Sequence, residues 1–215
     1  MIRLTKTGFV ADAEDVERLR SEFEKNHLVQ IRGLLDPQVV ALVLSHIEQG
    51  HWREISEPGF ASDYELELGP VLELLNFVCN APNFLETIRK ITGCKPLTWF
   101  EGRVFTLAPD VGHVGLWHND NAEGRVVAMT VNLSPRGYQG GLFQMRETKS
   151  HRMLVEIANT GLGDAIIFPV SGDFQHRVSE VQTGEAKTAF AGWFHVTEQS
   201  LRARLSRHES PERVR

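Results

Sequence analysis

Three residues could together form a metal site, and they come from two distant segments of the sequence. His118 and Asp120 are two positions apart, so on an extended strand their side chains point to the same side. His176 follows His118 by 58 residues, begins a predicted strand after a turn, and is the candidate for a third ligand. Two histidines and one carboxylate on one face leave coordination positions open, so this set could support metal-assisted chemistry.

A lysine at the start of the last apolar run offers a second chemical group. Lys187 precedes the predicted strand Thr188–Val196, and a cation entering so apolar a run must reach the rim or pair with an anion. Ala189, Ala191 and Trp193 share its face of the strand, and the small alanines leave space there for a ligand. An edge lysine in solvent is the alternative interpretation.

The other histidines are not expected to be ligands, because none has a partner at a useful spacing. His113 and His195 lie nearest to the candidate segments. Arg177 could compete with Lys187 for an anion, but as the strand neighbour of His176 it faces the other way. Surface or capping roles are expected for the remaining histidines, which are His27, His46, His51, His151 and His208.

Helices are predicted throughout the first half, where apolar residues recur at helical spacing. Aspartate caps, proline at the first helical position and glycine after the last mark their boundaries. Residues 51–68 lack this periodicity and are predicted to be an acidic loop, either a solvated face or a lid over the substrate. The predicted helices run from Asp12 to about Asn26, from Asp36-Pro37 to before Gly50, from Pro70 to about Cys79, and from Pro82 to Thr92.

After Pro96 the sequence changes to short β-type runs separated by turn residues. Helices followed by closely spaced strands favour a β-sandwich or barrel with helices packed on one side. A short helix from Thr197 to Leu205 and a frayed tail are expected to follow. The predicted strands are Leu97–Leu107, Val126–Leu133, Leu142–Arg146, Met153–Ile157, Ala165–Phe168, His176–Val181 and Thr188–Val196.

The composition fits an ordinary globular domain and argues against several classes of protein. The chain has 215 residues, of which 41% are hydrophobic and 24% charged, and its formal net charge of −5 argues against a broad nucleic-acid-binding surface. We expect no membrane association, because no apolar run is long enough for a span and the N-terminus lacks a secretory signal. Cys79 and Cys94 form no CxxC motif, so a reducing cytoplasmic location is expected.

The second half of the sequence resembles the double-stranded β-helix of the Fe(II)- and 2-oxoglutarate-dependent oxygenases, in their prolyl-hydroxylase-like branch. The resemblance covers roughly residues 97–196, and the helical first half resembles the helical support of such enzymes. One departure is that Lys187 follows His176 by eleven residues, one more than expected for the family. The pieces that carry the resemblance, in order, are Trp117-His118-Asn119-Asp120, Val131-Asn132-Leu133 followed by Gly140-Gly141, Gly163-Asp164-Ala165-Ile166-Ile167-Phe168, Gln175-His176-Arg177-Val178, and Lys187 six residues before Trp193-Phe194.

This resemblance implies roles for the residues described above. His118, Asp120 and His176 would be the iron ligands, and Lys187 would pair with the distal carboxylate of 2-oxoglutarate. Fe(II), 2-oxoglutarate and O2 are the implied cofactor and cosubstrates. Asp120 stands where a small residue would leave a site for chloride, so hydroxylation is favoured over halogenation. A second, hydroxyl-bearing contact to the cosubstrate could come from Thr98, Thr106, Thr130 or Thr188.

The sequence therefore predicts an α+β protein with a double-stranded β-helix (jelly-roll or cupin-like) core and N-terminal supporting helices. We expect a single domain over residues 1–215, with helical support to about 95, the core from about 96 to 196, and a C-terminal helix and tail over 197–215. The expected function is a 2-oxoglutarate-dependent Fe(II) dioxygenase that hydroxylates an unactivated C–H bond and releases succinate and CO2. Its substrate would be an amino acid, a peptidyl residue or a natural-product intermediate, and the oligomeric state is left open.

Three other functions use the same residues differently. A cupin-like metal-binding or sensing protein would need the three ligands but not Lys187. A β-barrel scaffold that binds a partner through residues 51–68 would take up no metal. A zinc hydrolase would act without O2 or 2-oxoglutarate. Residues that could lie near the open side of the metal are Arg103, Phe105, Trp117, Asn119 and Arg177.

Overall fold

The computed structural model describes residues 1–55, 63–109, 115–122, 124–158 and 161–196. Its helices confirm the four predicted from the sequence: α1 (Ala13–Asn26), α2 (Pro37–Ile47), α3 (Pro70–Cys79) and α4 (Pro82–Thr92). Three of them begin with proline, whose missing N–H costs nothing in the first turn. His27 and Gly93 end α1 and α4 in the left-handed conformation, with φ of 57° and 65°. None of the described helices is long and apolar enough to cross a membrane.

The strands are concentrated in the second half, as predicted, but several also lie among the helices. The strands of the first half are β1 (Ile2–Thr5), β2 (Gly8–Ala11), β3 (Val29–Ile31), β4 (Trp52–Ile55) and β5 (Asp63–Leu66). Those of the second half are β6 (Trp99–Leu107), β7 (Arg125–Asn132), β8 (Tyr138–Gly140), β9 (Phe143–Glu147), β10 (Met153–Ile157), β11 (Ala165–Pro169), β12 (Phe174–Val178), β13 (Val181–Gly184) and β14 (Lys187–His195).

Two antiparallel sheets build the core of the fold. The main sheet has seven strands in the order β3-β11-β7-β14-β6-β5-β4, and the second sheet has the order β10-β9-β12. A separate pair, β8 and β13, lies beside them. Apolar residues of both sheets, among them Phe143 and Met145 of β9 and Ile166 and Phe168 of β11, form one buried cluster. This arrangement is the double-stranded β-helix that the sequence predicts.

The other face of the main sheet is covered by the helices. Phe190 and Phe194 of β14 are completely buried there, in one cluster with Phe84 and Ile88 of α4 and Leu75 of α3. The helices and the main sheet therefore share one hydrophobic core. The assignment of the whole chain to a single domain stays a prediction, and the C-terminal helix predicted over 197–205 lies outside the described residues.

Two asparagines, Asn76 of α3 and Asn80 directly after it, complete the hydrogen bonding of β6. The Asn76 amide accepts from Gly102 N at 2.8 Å and donates to Gly102 O at 3.0 Å. Asn80 does the same for the N–H and C=O of Phe100, both at 2.8 Å. β5 pairs with β6 only further along, at Thr106 and Phe105, so these side chains replace a strand where none is available.

Parts of the sequence-based prediction of secondary structure are wrong. Residues 51–68 do not form a loop throughout, because β4 and β5 pair as an antiparallel hairpin from Trp52↔Leu66 to Ile55↔Asp63 and extend the main sheet. The strand predicted over His176–Val181 is two strands, β12 and β13, which pair with different partners. Strand β8 and the early strands β1, β2 and β3 were not predicted, since each is only three or four residues long.

Candidate metal centre and adjoining cavity

The three predicted ligands lie together at one end of the space between the sheets. Asp120 Oδ1 is 3.6 Å from His118 Nε2, and Asp120 Oδ2 is 3.2 Å from His176 Nε2. One ligand atom from each side chain lies within 4.8 Å of the other two. This spacing is compatible with a single metal ion bound between the three groups.

The backbone brings the two histidines together. His118 and His176 form an isolated antiparallel bridge, in which His118 N donates to His176 O at 3.1 Å and His176 N donates to His118 O at 2.8 Å. Asp120 then adopts a left-handed conformation with φ of 53°, which aspartate tolerates better than most residues. His118 and Asp120 therefore converge, although Asp120 is not in a strand as the sequence argument assumed.

The histidine rings are held so that Nε2 faces the carboxylate. His118 Nδ1 lies 2.8 Å from Leu116 O, a contact that places a ring proton on Nδ1 and directs Nε2 towards Asp120. The His176 ring packs against Phe168 at 4.7 Å between ring centroids. Both rings thus present the atom that a divalent cation would bind.

The electrostatics favour the ligand forms of these groups. Burial raises the pKa of Asp120, but hydrogen bonds from His176 and Trp193 outweigh this and lower that pKa to about 2. Burial lowers the pKa of His176, against the opposing effect of Asp120. An ionised Asp120 carboxylate beside the His176 imidazole, whose neutral form burial favours, is a donor set that suits a transition metal, so these residues fit an iron ion.

A second set of side chains supports Asp120. Trp193 Nε1 donates to Asp120 Oδ2 at 2.9 Å, and the Arg125 guanidinium lies 3.6 Å above the Trp193 ring. Arg125 in turn pairs with Glu101 at 3.4 Å, and Glu101 contacts His195 Nε2 at 3.1 Å. The indole of Trp193 is therefore fixed on both sides, and it fixes the orientation of the carboxylate.

A cavity of about 190 Å³ opens next to the three ligands. A smaller cavity of about 30 Å³ adjoins it and is lined by Lys187. The walls shared by the two cavities are formed by Phe105, Thr130, Phe143 and Val178. A small, elongated molecule bound at the metal centre could therefore extend towards Lys187.

Lys187 is largely shielded from solvent at the end of this cavity. Its Nζ donates to Gly141 O at 2.5 Å and lies 5.8 Å from the centre of the Tyr138 ring. No carboxylate of the described residues pairs with it. Burial lowers the pKa of Lys187 to about 8. A cation without a counter-charge at the end of a cavity fits a carboxylate of a ligand.

The comparisons with known proteins agree with this geometry. The 2OG-Fe(II) oxygenase superfamily matches residues 107–195, which contain all three ligands and Lys187. This stretch of the chain is similar to the 2OG-Fe(II) oxygenase superfamily. Members of this superfamily require Fe(II), 2-oxoglutarate and O2, and the match together with the cluster of His118, Asp120 and His176 indicates a 2-oxoglutarate-dependent oxygenase. No protein of curated function is significantly similar to it in sequence.

Solved structures with low sequence identity share the fold. A prolyl-4-hydroxylase from Pseudomonas putida aligns with a TM-score of 0.66 at 16% identity, over 85% of this chain and 99% of that one. A Trichoplax adhaerens prolyl hydroxylase, solved with a peptide fragment of a hypoxia-inducible factor, aligns with a TM-score of 0.65 at 14% identity, over 94% and 99% of the two chains. SnoN, a non-haem α-ketoglutarate-dependent epimerase of nogalamycin biosynthesis, aligns with a TM-score of 0.66 at 14% identity, over 86% of this chain and 84% of that one.

In the structure, the other residues that the sequence analysis singled out lie in different surroundings. Arg177 lies outside the cavity, as predicted, because its guanidinium stacks on Trp117 at 4.6 Å and donates to Gln144 Oε1 at 2.6 Å. Trp117 therefore does not line the cavity, whereas Arg103 and Phe105 do. His113 and His208 lie outside the described residues, and the remaining histidines apart from His118 and His176 do not join the metal cluster described here.

Few of the candidate threonine hydroxyl groups line the cavity beside Lys187. Thr130 lines the cavity, whereas Thr106 and Thr188 contact each other at 3.2 Å and Thr98 donates to His195 O at 3.0 Å. Tyr138 also lines the cavity beside Lys187, and the sequence argument missed it. Burial raises the pKa of Tyr138 to about 12, so its hydroxyl keeps its proton and can donate to an anion. In the sequence, the one indication that Tyr138 lies near the cavity is its position just before Gly140-Gly141.

Proposed function

We propose that this oxygenase holds Fe(II) with His118, Asp120 and His176 and binds the distal carboxylate of 2-oxoglutarate with Lys187. The observation that carries the proposal is the pair of adjoining cavities, of which one is lined by the three candidate ligands and the other by Lys187, a buried cation with no carboxylate partner among the described residues. Bound iron and 2-oxoglutarate supply O2 activation coupled to decarboxylation of the keto acid, with succinate and CO2 as products. Binding and orientation of the reactants depend on the protein side chains.

The protein residues orient the reactants and exclude water. The Lys187 ammonium makes a charge-assisted contact with the cosubstrate, and the Tyr138 hydroxyl or the Thr130 hydroxyl adds a second. Trp193 holds the Asp120 carboxylate through its indole N–H. Phe105, together with the apolar residues around it, keeps the cavity dry, which strengthens each of these polar contacts.

We infer hydroxylation of an unactivated C–H bond of a small-molecule or peptidyl substrate. Asp120 fills the third protein ligand position, so no site is left for chloride. The two similar prolyl hydroxylases support hydroxylation, and the epimerase of nogalamycin biosynthesis is the competing precedent on the same fold. Desaturation or ring formation would use the same residues. The cupin-like alternative without oxygenase chemistry does not account for Lys187.

We also propose that the protein acts in the cytoplasm and does not bind nucleic acid. Cys79 and Cys94 are both free, and burial strongly raises the pKa of the Cys79 thiol. Such thiols are typical of proteins in a reducing compartment. The net charge of −5 supports a substrate other than nucleic acid.

An anaerobic titration of the metal-free protein with Fe(II) and 2-oxoglutarate tests the cofactor assignment. We expect a visible metal-to-ligand charge-transfer band that saturates at one iron per chain. His118→Ala should abolish the band. Lys187→Ala should weaken 2-oxoglutarate binding about 10–150-fold, since a hydrogen bond to a charged group contributes about 1.5–3 kcal/mol.

The matched control is Lys149→Ala, which removes an exposed lysine and should leave the titration unchanged. Iron binding without a band would show that Lys187 does not bind 2-oxoglutarate and would favour the cupin-like alternative. The absence of any metal binding would refute the ligand assignment. A saturating band would leave the substrate to be identified by stimulated succinate release.

A further inference from the structure

A second cation faces the same cavity, close to the metal ligands rather than at the Lys187 end. Arg103 of β6 lines the larger cavity together with His118 and Asp120. It lies directly across from Ala191 of β14, and the next residue pair on this face is Glu101↔Trp193. Because Trp193 donates to Asp120, Arg103 is one residue pair from the contact that orients the metal ligand.

The Arg103 guanidinium lacks a strong partner. The part of the chain that the structure describes offers it no hydrogen bond. Its nearest carboxylate is Glu65 of β5, with Oε2 at 3.6 Å, and the same carboxylate is also 3.8 Å from Arg53. The Arg103 side chain remains 43% exposed. Its five N–H donors are therefore available to a ligand that enters the cavity.

The surroundings of Arg103 select for an apolar molecule with one anionic group. Phe105, Phe168 and Trp193 line the same cavity as Arg103. Ala191, which pairs with Arg103 across the two strands, also lines this cavity and contributes only a methyl group to its wall. An anion with an apolar body would pair with Arg103 and bury its apolar part against the aromatic rings.

Arg103 and Lys187 are well separated along the sheet. Lys187 pairs with Leu107, four residues from Arg103 on β6, which corresponds to about 14 Å along a strand. A molecule that extends from the metal ligands to Lys187 runs away from Arg103. The two cations therefore serve two different anions.

We propose that Arg103 binds the carboxylate of the primary substrate, and that this substrate is an apolar carboxylic acid. Arginine presents a planar fork that pairs with both oxygens of a carboxylate, an arrangement that fixes orientation as well as position. Glu65 is the counter-ion of Arg103 in the absence of substrate, and the entering carboxylate replaces it. This inference rests on the proposed function, because it concerns the primary substrate of the same site.

Binding of matched acid and amide pairs to the metal-free protein tests the inference without requiring turnover. The probes are 3-phenylpropanoate with 3-phenylpropanamide, hexanoate with hexanamide, and N-acetyl-leucine with its amide, each titrated by ligand-observed NMR. In the wild-type protein at least one acid should bind about tenfold or more tightly than its amide. Arg103→Gln should remove this preference, and Glu65→Gln should keep or increase it.

Arg53→Gln is the matched control, because Arg53 also contacts Glu65 but does not line the cavity. It should keep the preference for acids. Thermal unfolding of each variant checks that it is folded. Equal binding of acid and amide, no binding of any acid, or an unchanged preference in Arg103→Gln would each overturn the inference.

The charge-transfer titration separates this inference from the proposed function. Arg103→Gln should bind 2-oxoglutarate with an unchanged Kd. A weaker Kd would show that Arg103 binds the cosubstrate and would overturn the inference. Loss of the acid preference in Lys187→Ala would do the same. If the wild-type protein selects acids through Arg103 but gives no charge-transfer band, the proposed function fails and the carboxylate site stands.

Discussion

The two faces of the main sheet carry side chains of different character, although the same strands supply both faces. On β14, Phe190 and Phe194 point to the helices and are completely buried. The alternate residues Lys187, Ala191 and Trp193 point to the cavities. The helix-covered face is closely packed and apolar, whereas the cavity face combines small residues with a few polar ones. Stability and ligand binding are thus assigned to alternate residues, and mutations on the two faces should have separable effects.

The largest expected effect is on the helix-covered face. Phe190→Ala should lower the free energy of unfolding by about 3–5 kcal/mol, because it removes a fully buried aromatic side chain and leaves a cavity. Urea-induced unfolding of the metal-free protein measures the change. The neighbouring cavity-face variant Ala189→Gly is the control and should cost about 1 kcal/mol or less. Equal losses in the two variants would contradict the division between faces.

A smaller effect is expected from the side chain that holds the Asp120 carboxylate. Trp193→Phe keeps the aromatic ring but removes the N–H that donates to Asp120, so Fe(II) affinity should fall about 10–100-fold with little change in stability. Trp117→Phe, which alters a tryptophan stacked between Arg146 and Arg177 outside the cavity, should leave the affinity unchanged. Iron titrations that give the same affinity for both variants would show that the indole N–H does not support the ligand.

The smallest effect concerns pH. The pKa of Lys187 is lowered to about 8 by burial, so above pH 8 the ligand-free protein loses the proton on which the proposed contact with 2-oxoglutarate depends. The Kd for 2-oxoglutarate should therefore rise about tenfold per pH unit above 8.

The same lowered pKa acts in the opposite direction on the stability of the ligand-free protein. Between about pH 8 and the ordinary lysine pKa of 10.5, the unfolded chain binds more protons at Lys187 than the folded chain, so this group's contribution to stability rises with pH. Lys187→Met should lack both trends. A flat Kd between pH 8 and 9.5 in the wild-type protein would show that Lys187 does not bind the cosubstrate.

The parts of the fold that the sequence predicts are those fixed by local chemistry. Pro70 and Pro82 define where α3 and α4 begin, and Gly93 defines where α4 ends. The sequence predicts the candidate ligands because His118 and Asp120 are both metal-ligand types at a spacing of two and a strand histidine follows, and it predicts Lys187 because this lysine lies at the start of an apolar run.

The missed parts depend on pairing between distant segments. The β4–β5 hairpin is defined by pairing with a distant strand, because β5 joins the main sheet through β6, where Tyr64 pairs with Thr106. Tyr138 reaches the cavity because β8 pairs with β13, some forty residues later, with Gly184 opposite Tyr138. No local periodicity records such contacts, and the left-handed backbone at Asp120 is equally hidden in the sequence.

The mutual hydrogen bonds between His118 and His176 have a consequence for how such an enzyme can diverge. The backbone N–H and C=O groups of the two residues hydrogen-bond to each other. The distance between the imidazoles therefore does not depend on the length of the chain that joins them. Turns within that connecting stretch could gain or lose residues while the metal geometry stays constant. Loop length can thus change independently of the metal centre, and the surface around the cavity can vary from one relative to another without a matching change in the chemistry.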